Sequence, residues 1–267
     1  QSCLFQHRAS WVLQLATLAL WATRASSLAV CGLEVPHARP SVAASALDNY
    51  RWPEAFPYSA AELTPEVAGS DGAFYLLPKF VHHAGEECRA CLRDFYACAL
   101  PPAGTGAVLD LCSSWTSHYP EGWRGKRVVA LGLNPLELLA NPSKTEWRVH
   151  DLNKDPSLPY PDATFDLVTN SLSVDYMTSP LELFAEMARV TKPGGLACCA
   201  FTNRCFPTKV VPAWLRPFSE PSHARIVGSY FKYSTGDWAD VGVADVSPAG
   251  FVGERDPMIV VVGRKRA

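Results

Sequence analysis

Apolar and polar positions change rhythm along this chain at about residue 106. Beyond that point short apolar-rich runs recur at residues 107–111, 127–131, 164–170 and 196–201, then at 239–246 and 258–262, and residues 146–150 read as a further strand between them. Each is short enough for a buried strand. Between them lie helical stretches. Asn134-Pro135 opens one, because Asn suits the N-cap and Pro the first helical position. Residues 181–190 form the next, with Lys192-Pro193-Gly194-Gly195 expected to close it. Residues 222–233 form the third. Strands alternating with helices predict a mostly parallel sheet wound on both faces, and the last two strands predict a hairpin with a long connection.

Upstream the rhythm differs. Residues 86–100 read as a helix, with Cys88, Cys91, Leu92, Phe95 and Cys98 at helical spacing and Pro101-Pro102 as its stop. Residues 46–70 are punctuated by Pro53, Pro57 and Pro65 and read as loop, and residues 74–80 as an aromatic segment docking on the main domain. Residues 11–22 are apolar apart from Gln14 and Thr17, follow His7-Arg8, and are too short to span a bilayer comfortably. Small residues follow, then a stretch to about Ser45 with a single acid, Glu34. That sequence of features is a targeting pattern. The expected organisation is a two-part leader of plastid type over residues 1–45, a loop and helical cap over 46–105, and the α/β domain over 106–267.

Net charge is −2, which argues against a general polyanion binder and hence against nucleic acid as partner. The basic cluster Arg264-Lys265-Arg266 reads as a solvated tail. Nine cysteines, several inside expected core strands, fit a reducing compartment without a disulfide framework. No stable membrane span is expected in the mature chain.

Three stretches carry a family resemblance. They are Val108-Leu-Asp-Leu-Cys-Ser-Ser-Trp-Thr-Ser-His118, Leu158-Pro-Tyr-Pro-Asp-Ala-Thr-Phe-Asp-Leu-Val168 and Glu186-Met-Ala-Arg-Val-Thr-Lys-Pro-Gly-Gly195. The last two resemble the signatures of class I S-adenosylmethionine-dependent methyltransferases of the type 11 group; the first looks like a variant of that group's opening motif. The resemblance implies a Rossmann-like α/β fold: a mostly parallel seven-stranded sheet, helices on both faces and an antiparallel last strand. It implies S-adenosylmethionine as cofactor and methyl transfer to a small-molecule substrate.

Carried over residue by residue, the resemblance assigns cofactor contacts to Asp110, which would orient the first loop, to Ser113, Ser114, Trp115 and Ser117 within that loop, and to Asn134, Asp151, Leu152 and Asn170. Asp151 matches the acid near the adenine amino group. Two departures stand out. The family's glycine positions in the first loop correspond to Cys112, Ser114 and Thr116, and the acid that usually holds both ribose hydroxyls corresponds to Gly132. Losing that contact would cost about 1.5–3 kcal/mol; Glu137 is the nearby substitute. His83 and His118 are the candidate bases, and Arg204 a candidate anchor for a substrate anion. The C-x-x-C of Cys88 and Cys91 with Cys98, His82 and His83 has zinc-like ligands, but the cysteines share one apolar helix face, and no metal is expected. The competing expectation is a non-catalytic methyltransferase-like module that binds a partner protein or another nucleotide.

Overall fold

The computed structural model describes residues 27–67, 71, 75–249 and 256–267. The apolar run of residues 11–22 and Phe74 lie outside the described residues. Strands β1 (Ser27–Val30) and β2 (Leu33–Pro36) pair antiparallel across a two-residue turn at Cys31-Gly32. Their apolar positions Val30 and Val35 are buried, and the Arg39 amide donates to the Asp245 carbonyl at 2.8 Å. Residues 28–46, most of them inside the expected leader, therefore pack on the α/β domain. The hairpin has only four residues a strand, too few for the alternation to stand out in sequence.

Helix α1 (Glu86–Ala99) follows, then β3 (Ala107–Leu111), β4 (Arg127–Gly132), α2 (Pro135–Ala140), β5 (Glu146–Val149), β6 (Phe165–Ser171), α3 (Pro180–Val190), β7 (Thr191–Phe201), α4 (Pro212–Leu215), α5 (Glu220–Ser234), β8 (Trp238–Asp245) and β9 (Ile259–Lys265). The sheet runs β5-β4-β3-β6-β7-β9-β8, with β9 antiparallel to both its neighbours and the β5-β4-β3-β6-β7 pairings parallel. This is the expected seven-stranded, mostly parallel arrangement with an antiparallel last strand.

Two cores flank the sheet. On one face Leu92, Phe95 and Tyr96 of α1 and Val35 of the hairpin cover Val108, Val128, Cys198 and Val260. On the other, Phe184 and Met187 of α3 meet Tyr230 and Phe231 of α5 over Leu109, Val129 and Val168, with the Phe184 and Phe231 rings 4.7 Å apart edge to face. Sealing on both sides explains why apolar residues stand at successive positions in the central strands, as at Val108-Leu109, Val128-Val129 and Leu167-Val168.

Two expectations are corrected. Lys192-Pro193-Gly194-Gly195 does not form a helix cap. It lies inside β7 as a bulge, where pairing with β6 jumps from Phe165↔Thr191 to Leu167↔Leu196 and Gly194 takes φ +75°. Arg264, Lys265 and Arg266 are not a solvated tail. Arg264 donates to the Cys31 and Gly194 carbonyls, Lys265 to Thr191 and Arg266 to Gly236, so they tie β9 to neighbouring turns.

Candidate cofactor cleft

The strand order reverses between β3 and β6, whose neighbours lie on opposite sides. A crevice opens beyond the C-terminal ends of strands at such a switch point. The loop 112–118 leaves β3 there. Its two ends, Cys112 and His118, take φ +53° and +56°. Left-handed backbone costs a non-glycine residue about 1–2 kcal/mol, so the rest of the loop must over-determine them.

It does so through Asp110 and Asn141. Asp110 is buried, and its carboxylate accepts from Ser113 Oγ at 2.6 Å and from Thr169 Oγ1 at 2.9 Å. Ser117 also donates to it; burial outweighs these hydroxyls and pushes the carboxyl up to about 6. Asn141, at the end of α2, donates from Nδ2 to Ser113 Oγ at 3.2 Å, the Ser114 carbonyl at 3.0 Å and Ser117 Oγ at 2.8 Å. The loop is thus held from below by an acid and from the side by an amide.

The same loop closes the end of β4. The Ser113 amide donates to the Leu131 carbonyl at 2.8 Å. A Cβ at Gly132 would stand 2.1 Å from the Ser113 carbonyl oxygen. No side chain fits there, so glycine at this position is required by the loop above it.

Glu137, in the first turn of α2, takes over the charged position beside the loop. It is buried, accepting from Ser114 Oγ at 2.6 Å and from the Lys79 amide at 2.6 Å. Asn134 caps α2 through Oδ1, accepting from the Leu136 and Glu137 amides, and donates from Nδ2 to the Tyr75 carbonyl at 2.9 Å. Residues 75–83 are thereby strapped across the crevice. Their far end is fixed at Trp115, whose indole donates to the Val81 carbonyl at 3.2 Å and whose ring centre lies 4.5 Å from that of His82.

Under the strap is a cavity of about 350 Å³, a size suited to a small organic ligand. It is lined by Asp110, Ser113, Ser114, Trp115, Asn134, Asp151 and Leu152 from the expected cofactor contacts, and by His83, His118 and Arg204 from the expected catalytic candidates. Ser117 and Asn170 do not line it. Ser117 faces inward to Asn141. Asn170 is buried at the end of β6, its Nδ2 3.6 Å from Cys112 Sγ and its Oδ1 without a partner.

Asp151 forms a turn with the Asn153 amide at 3.2 Å and an ion pair with Lys154 at 3.1 Å. It is both a turn former and a cavity wall. Beyond it, Asp71 bridges Asn153 Nδ2 at 2.8 Å and Lys209 Nζ at 3.0 Å. Arg204 pairs with Asp256 at 2.8 Å and stays largely exposed. Burial and the neighbouring Lys79 charge lower the His83 pKa, and burial with nearby cations pushes His118 down to about 4. Both imidazoles are neutral at pH 7, with His118 the weaker base. The Tyr176 phenol accepts from the Phe206 amide at 2.9 Å and completes the wall opposite the loop.

Asn141, Tyr75, Lys79 and Lys209 were not singled out from the sequence. Their roles arise from contacts between distant segments, which spacing does not encode. The zinc-like group is dispersed as well: Cys88 Sγ points to the Pro257 carbonyl and Cys98 Sγ to Asp94 of its own helix. Among the described residues, no cluster of three or more metal-type side chains forms.

A family model for a methyltransferase domain matches residues 103–199. Malonyl-acyl-carrier-protein O-methyltransferase of Marinomonas sp. (strain MWYL1) is 32% identical over 115 residues, 42% of this chain and 40% of that protein. Over residues 103–199 the chain is thus similar to a methyltransferase domain. An uncharacterized methyltransferase of Mycobacterium sp. (strain JLS) is 32% identical over 95 residues, 36% of this chain and 34% of its own length. The chain thus spans less than half the length of these curated relatives. Among solved structures, SpnF, a (4+2) cyclase, superposes with TM-score 0.51 at 13% identity, covering 80% of this chain and 100% of its own. That likeness is one of fold alone and says nothing of the chemistry. Among the described residues of the domain and its flanks, no helix is long and apolar enough to cross a membrane.

Proposed function

We propose that this chain transfers the methyl group of S-adenosylmethionine to a small-molecule acceptor. The observation that carries this reading is the strapped cavity at the β3/β6 switch point, walled by the first loop, α2 and the turn after β5. The residues present fit the cofactor. The cavity wall carries four carboxylates, Asp71, Asp110, Glu137 and Asp151, which suit a ligand with an ammonium group and hydroxyls. Asp151 and Leu152 supply an acceptor and an apolar surface for an adenine. Ser114 and Thr116 stand on the cavity wall where the loop's glycines would otherwise open the backbone.

The bound cofactor supplies a methyl group on sulfur that is already electrophilic, so the protein's contribution is positioning and exclusion of water. Here the strap over residues 75–83 excludes water, and the Asp110–Asn141 frame fixes the loop. Where the acceptor carries a proton, His83 is the group that takes it: neutral at pH 7, on the cavity wall, with its ring 5.7 Å from that of Phe206. Calorimetric titration with S-adenosylmethionine and S-adenosylhomocysteine tests the reading. Saturable binding of both is expected. A folded chain that binds neither overturns it and supports a non-catalytic module.

A further inference from the structure

A class I domain normally holds the cofactor's ribose diol with an acid at the end of the second strand. In this chain that place is closed, since the Ser113 carbonyl occupies the space of any side chain at Gly132. Four carboxylates line the cavity: Asp71, Asp110, Glu137 and Asp151. Three are committed. Asp110 is spent on the hydroxyls of Ser113, Ser117 and Thr169. Asp71 bridges Lys209 and Asn153. Asp151 is engaged by Lys154 and its own turn.

Glu137 differs from all three. It is 6% exposed and lines the same wall as Gly132. Each of its oxygens takes one neutral donor, Ser114 Oγ on one and the Lys79 amide on the other. A carboxylate offers about four lone-pair sites, so each oxygen retains one. Two adjacent acceptors of this kind match two vicinal hydroxyls. A buried carboxylate with half its acceptor capacity unused is also costly unless further donors arrive.

We infer that Glu137 receives the vicinal diol of the cofactor's ribose, replacing the strand-end acid that the first loop excludes. The inference rests on the cofactor reading above. It also makes Glu137 a shared point between loop, strap and ligand, so a ligand that lacks the diol forfeits the contact while the strap stays pinned.

The test is a calorimetric cycle using S-adenosylhomocysteine and its 2′,3′-dideoxy analogue, with the wild-type chain and Glu137→Gln. Gln keeps the size of the side chain and can still accept from the Lys79 amide. The wild type should bind the dideoxy analogue about tenfold or more weakly than the parent. Glu137→Gln should lose about the same factor for the parent and stay within about twofold of wild type for the analogue. Equal loss for both ligands would show that Glu137 only pins loop and strap, and no loss for either would remove it from the site; both outcomes overturn the inference while wild-type binding of S-adenosylhomocysteine leaves the cofactor reading standing. A wild type that binds neither ligand overturns both. Should Glu137→Gln fail to fold in a thermal scan, the wild-type comparison of the two ligands still decides: equal affinities refute the diol contact.

Discussion

The segment that reveals this domain's family and the loop that lines its cleft are built on different principles. The family signatures at 158–168 and 186–195 form a clamp. The Arg189 guanidinium donates to both Glu186 oxygens at 2.7 Å, to Asp162 at 2.7 Å, and to the Leu158 and Tyr160 carbonyls at 2.8 Å. Glu186 in turn accepts from the Leu158 amide at 2.8 Å. Asp166 joins Lys192 at 2.8 Å and the Ala107 amide at 2.7 Å, stapling the start of β3 to β6 and β7. None of these residues lines the cavity. The loop 112–118 lines it and departs from the family pattern at each usual glycine. The residues that make the chain recognisable therefore hold the scaffold, while those that meet the ligand are this chain's own.

The comparison can be broken first at the clamp. Arg189→Ala removes five charge-assisted contacts on a partly exposed side chain, and should destabilise the fold by about 3 kcal/mol. That corresponds to a fall in melting temperature of roughly 6–12 °C for a domain of this size. Among molecules that remain folded, S-adenosylhomocysteine affinity should be unchanged. A mutant with altered affinity and unchanged melting would mean that the clamp belongs to the site.

The loop should respond the other way. Asn141→Ala leaves Ser113 Oγ, the Ser114 carbonyl and Ser117 Oγ without their shared donor. Its stability cost should be smaller, about 2 kcal/mol. Affinity should fall about tenfold, because Cys112 and His118 are then free to leave their left-handed conformations. Calorimetry alongside a thermal scan separates the two quantities. Loss of stability with no loss of affinity would show that the loop's shape is irrelevant to the ligand.

This division also explains what was legible beforehand. The strands, α1, α2, α3 and α5 follow from apolar periodicity and from Asn134-Pro135, because burial on both faces of the sheet imposes a local pattern. The Lys-Pro-Gly-Gly run was misplaced because glycines serve a helix cap and a strand bulge equally well. The hairpin at 27–36 was hidden by its shortness and by a composition that resembled a leader. In the site, Asp110 and Asp151 came from the family resemblance, and both line the cavity. Asn141 did not, since three bonds across the loop leave no trace in spacing. Asn170 was placed in the cleft by its strand end, whereas the pleat turns its amide toward Cys112 and into the protein. Gly132 was visible as an anomaly, but only the Ser113 carbonyl above it shows why glycine is needed.

The central claim is that side chains in the first loop do the work that glycines do elsewhere in the family, rather than filling the space a ligand would occupy. Ser114 decides it, because its hydroxyl is held on Glu137 at 2.6 Å and its carbonyl by Asn141 at 3.0 Å. Replacing it with glycine restores a usual family residue, opens the backbone and deletes one contact. Titration of wild type and Ser114→Gly with S-adenosylhomocysteine, both checked for an intact fold, is the direct measurement. The account predicts that affinity falls by about fivefold or more in the variant, the loss of one hydrogen bond to a charged partner. A variant that binds more tightly than wild type, or binds where wild type does not, would show the loop to be an obstruction and contradict the account.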